Sequence, residues 1–140
     1  MSQANKRLVL EALQLLDGGD PDAFAALHHA DFVNHEGAAG RTHGPEAARA
    51  SAMFLNSVFE NMRLEPVDTV AEGDLVVIRA QASGRHVGEI NGFPATGRTF
   101  SVQHIHMFRV TDGAISEHWA CRDDLGAARQ VGALSLPSSR

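Results

Sequence analysis

Val102-Gln103-His104-Ile105-His106-Met107-Phe108-Arg109-Val110, then Thr111-Asp112-Gly113, then Ala114-Ile115-Ser116-Glu117-His118-Trp119-Ala120-Cys121-Arg122: the reading of this run decides the fold. Both flanks are rich in β-branched and aromatic residues, and Asp-Gly tolerates the positive φ angles of a two-residue hairpin turn. With Thr111 paired to Ala114, His106 lies opposite Trp119, His104 opposite Cys121 and Val102 opposite Asp123. Side chains alternate across a strand, so His104, His106, Phe108, Trp119, Cys121 and Asp123 then share one face. Two imidazoles, an indole, a thiol and a carboxylate together describe a pocket wall better than a packed core. A three-residue turn with a bulge would instead shift the pairing by one, setting His104 and His106 against Ala120 and His118. Alternation along the second strand gives weak help; the large apolar groups Ile115 and Trp119 mark their face as the inner one, and the two-residue register is the one adopted.

Upstream of the hairpin, helices come first and strands follow. Lys6 to Leu16 carries Leu8, Val9, Ala12, Leu13, Leu15 and Leu16 at helical spacing, and Gly18-Gly19 stops it. Asp20 then serves as N-cap with Pro21 at the first helical position of a short helix, whose buried side is Phe24 and Leu27. Ala30 to His35 reads as a short strand and Gly37 to His43 as a small-residue loop. A third helix runs from Gly44-Pro45 to about Phe59, with Ala48, Ala52, Leu55 and Phe59 as its core stripe. Arg63 to Ala71 and Asp74 to Gly84 are strands joined by a turn at Glu72-Gly73-Asp74. A segment from His86 to Ile90, then Asn91-Gly92-Phe93-Pro94, leads to Arg98–Ser101 and the hairpin. Asp124 to Val131 closes the chain with a helical turn or two, and residues 135–140 form a frayed tail. Helices segregated from a run of antiparallel strands define an α+β fold, with the sheet curled around the N-terminal helices.

Composition narrows the function classes. A chain of 140 residues suits one domain with a single core and an internal cavity. A net charge of −5 without any Lys/Arg block argues against nucleic acid as partner. One cysteine excludes an internal disulfide, and no signal peptide or long apolar run is visible, so a cytoplasmic, membrane-free protein is expected.

Several stretches together resemble the SnoaL-like polyketide cyclase (ester cyclase) family, within the nuclear transport factor 2-like superfamily. They are Phe32-Val33-Asn34-His35, Gly44-Pro45-Glu46, Glu72-Gly73-Asp74 with Val76 and Arg79, and Gly84-Arg85-His86-Val87-Gly88-Glu89. They continue with Pro94-Ala95-Thr96-Gly97-Arg98, Asp112-Gly113-Ala114-Ile115-Ser116-Glu117-His118-Trp119 and Asp123-Asp124-Leu125-Gly126. Their order and spacing run from about Val9 to Gly132, implying one domain over 1–134 with the cone-shaped fold of ketosteroid isomerase. The resemblance further implies a cofactor-free enzyme closing a ring by intramolecular aldol condensation. In that family an acidic residue four positions after the tryptophan, here Asp123, is the general acid/base. His104 and His106, with Gln103 beside them, would line the same cavity. Arg85 and Ala114 depart from the family's usual small and basic residues. The resemblance also implies a homodimer through the outer sheet face, for which Gln81, Ile105 and Met107 are candidates.

Each candidate residue has a plainer alternative. Aldol closure needs a proton taken from a carbon flanked by carbonyls and one returned to the new alkoxide, which one buried carboxylate at Asp123 can do. Asp123 is equally suited to cap a helix beginning at Asp124, and Asp124 competes for both roles. His104 and His106, two apart on one face, would hydrogen-bond substrate carbonyl oxygens and the developing oxyanion. A metal there would need a third ligand such as His35 or Asp123, and no ligand motif supports one. His35 and His86 are rim candidates for substrate binding or surface residues. Trp119 and Phe108 wall the cavity, and Cys121 lines it without a base to activate it. His28, His29, His43 and His118 read as surface or helix-end residues. The leading reading is a polyketide cyclase-type enzyme on a hydrophobic, carbonyl-bearing small molecule. Its rivals are a hydrolase, isomerase, dehydratase or hydroxylase on the same fold, or a non-catalytic ligand-binding or dimerisation domain.

Overall fold

Three N-terminal helices pack their apolar stripes onto one face of a six-stranded sheet in the computed structural model, which describes residues 2–37, 40 and 42–134. Helix α1 (Ser2–Asp17) buries Val9, Ala12 and Leu13, and the chain leaves it through Gly19 at φ 70°. Helix α2 (Pro21–Ala26) begins as its sequence dictates: the Asp20 carboxylate accepts the Ala23 N–H at 3.1 Å and Pro21 opens the first turn. Helix α3 (Pro45–Val58) buries Ala48, Ala52 and Val58. The strands are β1 (His28–Asn34), β2 (Thr42–His43), β3 (Phe59–Glu72), β4 (Leu75–His86), β5 (Thr99–Thr111) and β6 (Ala114–Arg122), followed by helix α4 (Asp124–Gln130). Their order across the sheet is β2-β1-β6-β5-β4-β3, with β1 parallel to β6 and every other pair antiparallel.

The expected α+β class and curled sheet are what the structure shows. Curvature enters through bulges, which bend a strand and increase its local twist. Strand β3 slips by one residue between Glu60 and Arg63, where Asn61 adopts φ 54°, and again between Pro66 and Asp68. The inner face collects Val76, Ile78, Ala80 and Ala82 of β4 and Phe100, Val102 and Phe108 of β5. Phe32, Ile115, Val9 and Leu13 pack into the same core. The tail expected at 135–140 lies outside the described residues.

The hairpin corrects the sequence-based register. Asp112 (φ 51°) and Gly113 (φ 75°) form the expected two-residue turn, and Thr111 pairs with Ala114. One pair later, β6 carries an extra residue: Val110 faces Ile115 but Arg109 faces Glu117. Ser116 is that extra residue, and its hydroxyl holds the bulge by donating to the Arg109 carbonyl at 3.2 Å and meeting the Thr111 hydroxyl at 2.7 Å. From there on, His106 pairs with Ala120, His104 with Arg122 and Met107 with Trp119. Ile115 therefore points inward and Trp119 outward, so Trp119 and Cys121 do not share a face with His104 and His106. His118 takes the inward place instead. The expected pairs His106–Trp119, His104–Cys121 and Val102–Asp123 are all absent.

Candidate active site

The inner face of β5 and β6 carries a continuous line of imidazoles. His104 and His106 are 6% and 4% exposed. His104 Nδ1 lies 3.2 Å from His106 Nε2, and His106 Nδ1 lies 2.9 Å from His118 Nε2. His118 Nδ1 in turn lies 3.0 Å from the Asn34 side-chain oxygen on β1, and the Asn34 amide donates to the Ser51 hydroxyl of α3 at 3.4 Å. Phe108 stacks on His118 at 4.9 Å between ring centroids, closing the apolar side of the line. Strand alternation selects this set: His104, His106 and Phe108 occupy every second position of β5, and the Ser116 bulge brings His118 into phase with them.

Exclusion from water keeps these rings neutral. Burial pushes His104 down to about 4, with the nearby Arg122 cation adding to the effect and the Asp124 and Asp123 carboxylates opposing it. Burial likewise pushes His106 down to about 3, helped by Arg122 and His104. His118 is held well below the usual histidine value by burial, then by His106 and Arg122. Both ring nitrogens of His106 are thus engaged by neighbouring imidazoles, and neither is free for a substrate carbonyl.

Asp123 follows β6 at the α4 side of the line and is exposed, not buried as the acid/base reading expected. Its Oδ1 accepts the Gly126 N–H at 2.8 Å, which is the capping geometry weighed against catalysis. Gly126 permits this closeness, because a Cβ there would overlap the Asp123 carboxylate. Phe108 is on the inner face as expected. His86 also faces inward from the far end of β4, is 1% exposed, and meets the Thr96 hydroxyl through Nδ1 at 3.3 Å. Its Nε2 has no partner among the described residues.

Three candidates fall elsewhere. Cys121 is exposed on the outer face. Trp119 lies on that same outer face, where His35 stacks on it at 4.7 Å and 6° and the Arg109 guanidinium sits 5.9 Å from its ring. His35 Nε2 is 2.9 Å from Glu117, which also accepts from Arg109. His35, Trp119 and Cys121 are therefore not brought together with His104 and His106. Sequence reasoning also missed two histidines that face the interior, His118 half-buried and His28 buried. His118 was expected at the surface and belongs to the inner line. His28, read the same way, is buried between Phe24 and Phe32, bonds the Phe24 carbonyl at 2.8 Å, and is pushed down to about 4 by burial. Asn34 was missed as a site residue; its signal was its place two residues after buried Phe32 on one strand face. No group of three His, Cys, Asp or Glu side chains among the described residues is arranged to hold a metal ion.

A six-stranded sheet curled around N-terminal helices is the architecture of small cone-shaped domains with a ketosteroid isomerase-like fold. The chain superposes on one of these from Catenulispora acidiphila with a TM-score of 0.78 at 21% identity, covering 89% of this chain and 92% of that one. A family model for SnoaL-like polyketide cyclases matches residues 6–131, and the chain belongs to that family. It is 36% identical over 129 residues to the aklanonic acid methyl ester cyclase DnrD of Streptomyces peucetius, covering 89% of this chain and 88% of that protein. It is 35% identical over 106 residues to the nogalonic acid methyl ester cyclase of Streptomyces nogalater, covering 74% and 79%. Among solved structures, TsrD from Streptomyces laurentii superposes with a TM-score of 0.85 at 37% identity, covering 94% of this chain and 97% of that one. No helix among the described residues is long and apolar enough to cross a membrane.

Proposed function

We propose that this chain is a cyclase that closes a ring by intramolecular aldol condensation on an aromatic polyketide ester. The observation that carries the reading is the inner-face line His118–His106–His104, with Asp123 and Asp124 near enough to His104 to act on its charge, in a chain whose relatives are named as polyketide methyl ester cyclases. Asp123 removes a proton from a carbon flanked by carbonyls, the resulting enolate attacks a second carbonyl carbon, and the same group returns the proton to the new alkoxide. The substrate's own carbonyls delocalise the enolate, so the scheme calls for neither metal nor cofactor. His104 supports Asp123 from the line, Phe108 supplies an apolar wall, and His86 offers a polar contact at the opposite end of the inner face.

Asp123→Asn separates catalysis from capping. Asparagine caps helices about as well as aspartate, but takes up no proton. The expected result is an unchanged melting temperature and a kcat about a hundredfold lower or more on aklanonic acid methyl ester, the general acid/base share of such a step. Full activity in Asp123→Asn would sink this role and leave Asp123 as a cap.

The reading includes a homodimer through the outer sheet face, which exposes Val70 and Ile105 at 60% and 41%. Placing a charge there with Ile105→Glu is expected to turn a dimer into monomer in sedimentation velocity while circular dichroism stays unchanged. A wild-type chain that sediments as monomer at micromolar concentration would refute the dimer.

A further inference from the structure

Each close pair of ring nitrogens in the inner line has room for one proton, and the far end of the line decides which atom carries it. The Asn34 side-chain oxygen accepts the backbone N–H of Glu36 at 3.0 Å. Turning that amide over would set its NH2 against a backbone N–H, so the oxygen is fixed in place. His118 Nδ1, 3.0 Å from the same oxygen, must then be the donor. A neutral His118 presents a bare Nε2, so His106 Nδ1, 2.9 Å away, carries the next proton. The same step repeated leaves His106 Nε2 bare and puts the third proton on His104 Nδ1, 3.2 Å away.

We infer that the Glu36 amide, acting through Asn34 and His118, locks three imidazoles as Nδ1–H tautomers and presents an unprotonated His104 Nε2 at the end of the line nearest Asp123. Asn34 and His118 are positioning residues in this scheme: they act on the site through His106 and His104. The tautomer assignment is independent of the proposed reaction, and only its kinetic consequence rests on that reading.

The line is also blind-ended. A proton delivered to His104 Nε2 passes from His104 Nδ1 to His106 Nε2, then from His106 Nδ1 to His118 Nε2. It stops there, because the Asn34 amide oxygen bonds the His118 Nδ1 proton without accepting it. A proton held on the line can leave only by the same route, so the line does not leak it, and of the three rings His104, near Asp123 and Asp124, bears the charge most readily. The groups facing the line are Arg122, which opposes storage along its length, Asp123 and Asp124 at the His104 end, and His28 and His35 near His118.

The test is long-range proton–nitrogen correlation NMR on the intact chain labelled with 15N-histidine, at pH 7. His104, His106 and His118 should all show protonated Nδ1 and bare Nε2; a proton on His104 Nε2 overturns the inference, whatever the enzyme does. Asn34→Asp keeps the acceptor and adds a charge that favours a cation on His118. The line should then take up its proton at a pH higher by about one unit or more, and an unchanged or lower titration counts against the scheme. Asn34→Leu removes the acceptor, so kcat should fall about a hundredfold with KM little changed, while Asn34→Asp loses far less. Equal losses in the two variants overturn the positioning role. A wild-type chain that cyclises no polyketide ester refutes the proposed function alone, since the NMR assignment still decides the tautomers.

Discussion

Acidification from pH 6.5 towards pH 4 should unfold this protein in one cooperative step with uptake of several protons. His28 and His104 are pushed from the ordinary 6.5 down to about 4, His106 to about 3, and His118 downward with them. Between the folded and unfolded values the unfolded chain binds protons that the folded chain refuses, so stability falls as pH falls through that window. Above pH 6.5 the effect vanishes, because both states are then unprotonated. Each such histidine contributes a slope of about 1.4 kcal/mol per pH unit. Acting together they exhaust the roughly 5–15 kcal/mol of a small domain within a few units. Repulsion between His104 and His106 makes the second proton on the line harder to bind, which steepens the preference for opening it. Urea titrations followed by circular dichroism at pH 7, 6, 5 and 4 measure the slope. His28→Phe, which removes one buried imidazole between Phe24 and Phe32, should lower the uptake by one proton. Stability that is flat from pH 7 to pH 4 would contradict the burial described above.

Gly88→Ala should be among the most damaging small substitutions in the chain. The N–H groups of Val87 and Gly88 both bond the Val58 carbonyl, at 2.8 and 3.0 Å, and so draw the end of β4 against the end of α3. A Cβ on Gly88 would overlap the Ser57 carbonyl oxygen and stand 3.0 Å from the Val58 Cα. Backbone meets backbone there, with no flexible side chain to swing away. Overpacking typically costs about 1–3 kcal/mol, and this contact belongs at the upper end. For a chain of this length that corresponds to a melting temperature lower by about 10 °C. Gly92→Ala is the control: its φ of 82° is strained for alanine, yet nothing lies within 4 Å of the added carbon. Its loss should be about 1 kcal/mol. A Gly88→Ala melt matching that of Gly92→Ala would show that the β4–α3 junction yields easily.

What could be read from the sequence was local in origin. Asp112-Gly113, Asp20-Pro21 and the Gly18-Gly19 stop act through their own backbone angles and hydrogen bonds, and each formed as expected. The capping alternative for Asp123 was legible for the same reason. What could not be read was the phase of β6. Its residues alternate without a clear apolar face, so nothing in the chain signals that Ser116 is an extra residue rather than a paired one. That one residue moved Trp119 and Cys121 out and His118 in. Asn34 was missed because its place in the line depends on β1 lying parallel beside β6, a contact between residues about eighty-five positions apart. The family resemblance reached the fold and the match over residues 6–131, but it could not say which ring nitrogens face each other.

The outward turn of Trp119 has a practical consequence for anyone watching this protein by light. It is the only tryptophan, and the chain has no tyrosine. Intrinsic emission therefore comes from one indole covered by an imidazole and a guanidinium on the convex side of the sheet. That signal reports on whatever assembles against the outer face. A ligand entering the concave side would be almost invisible to it, so a flat quenching titration is no evidence that the interior is empty.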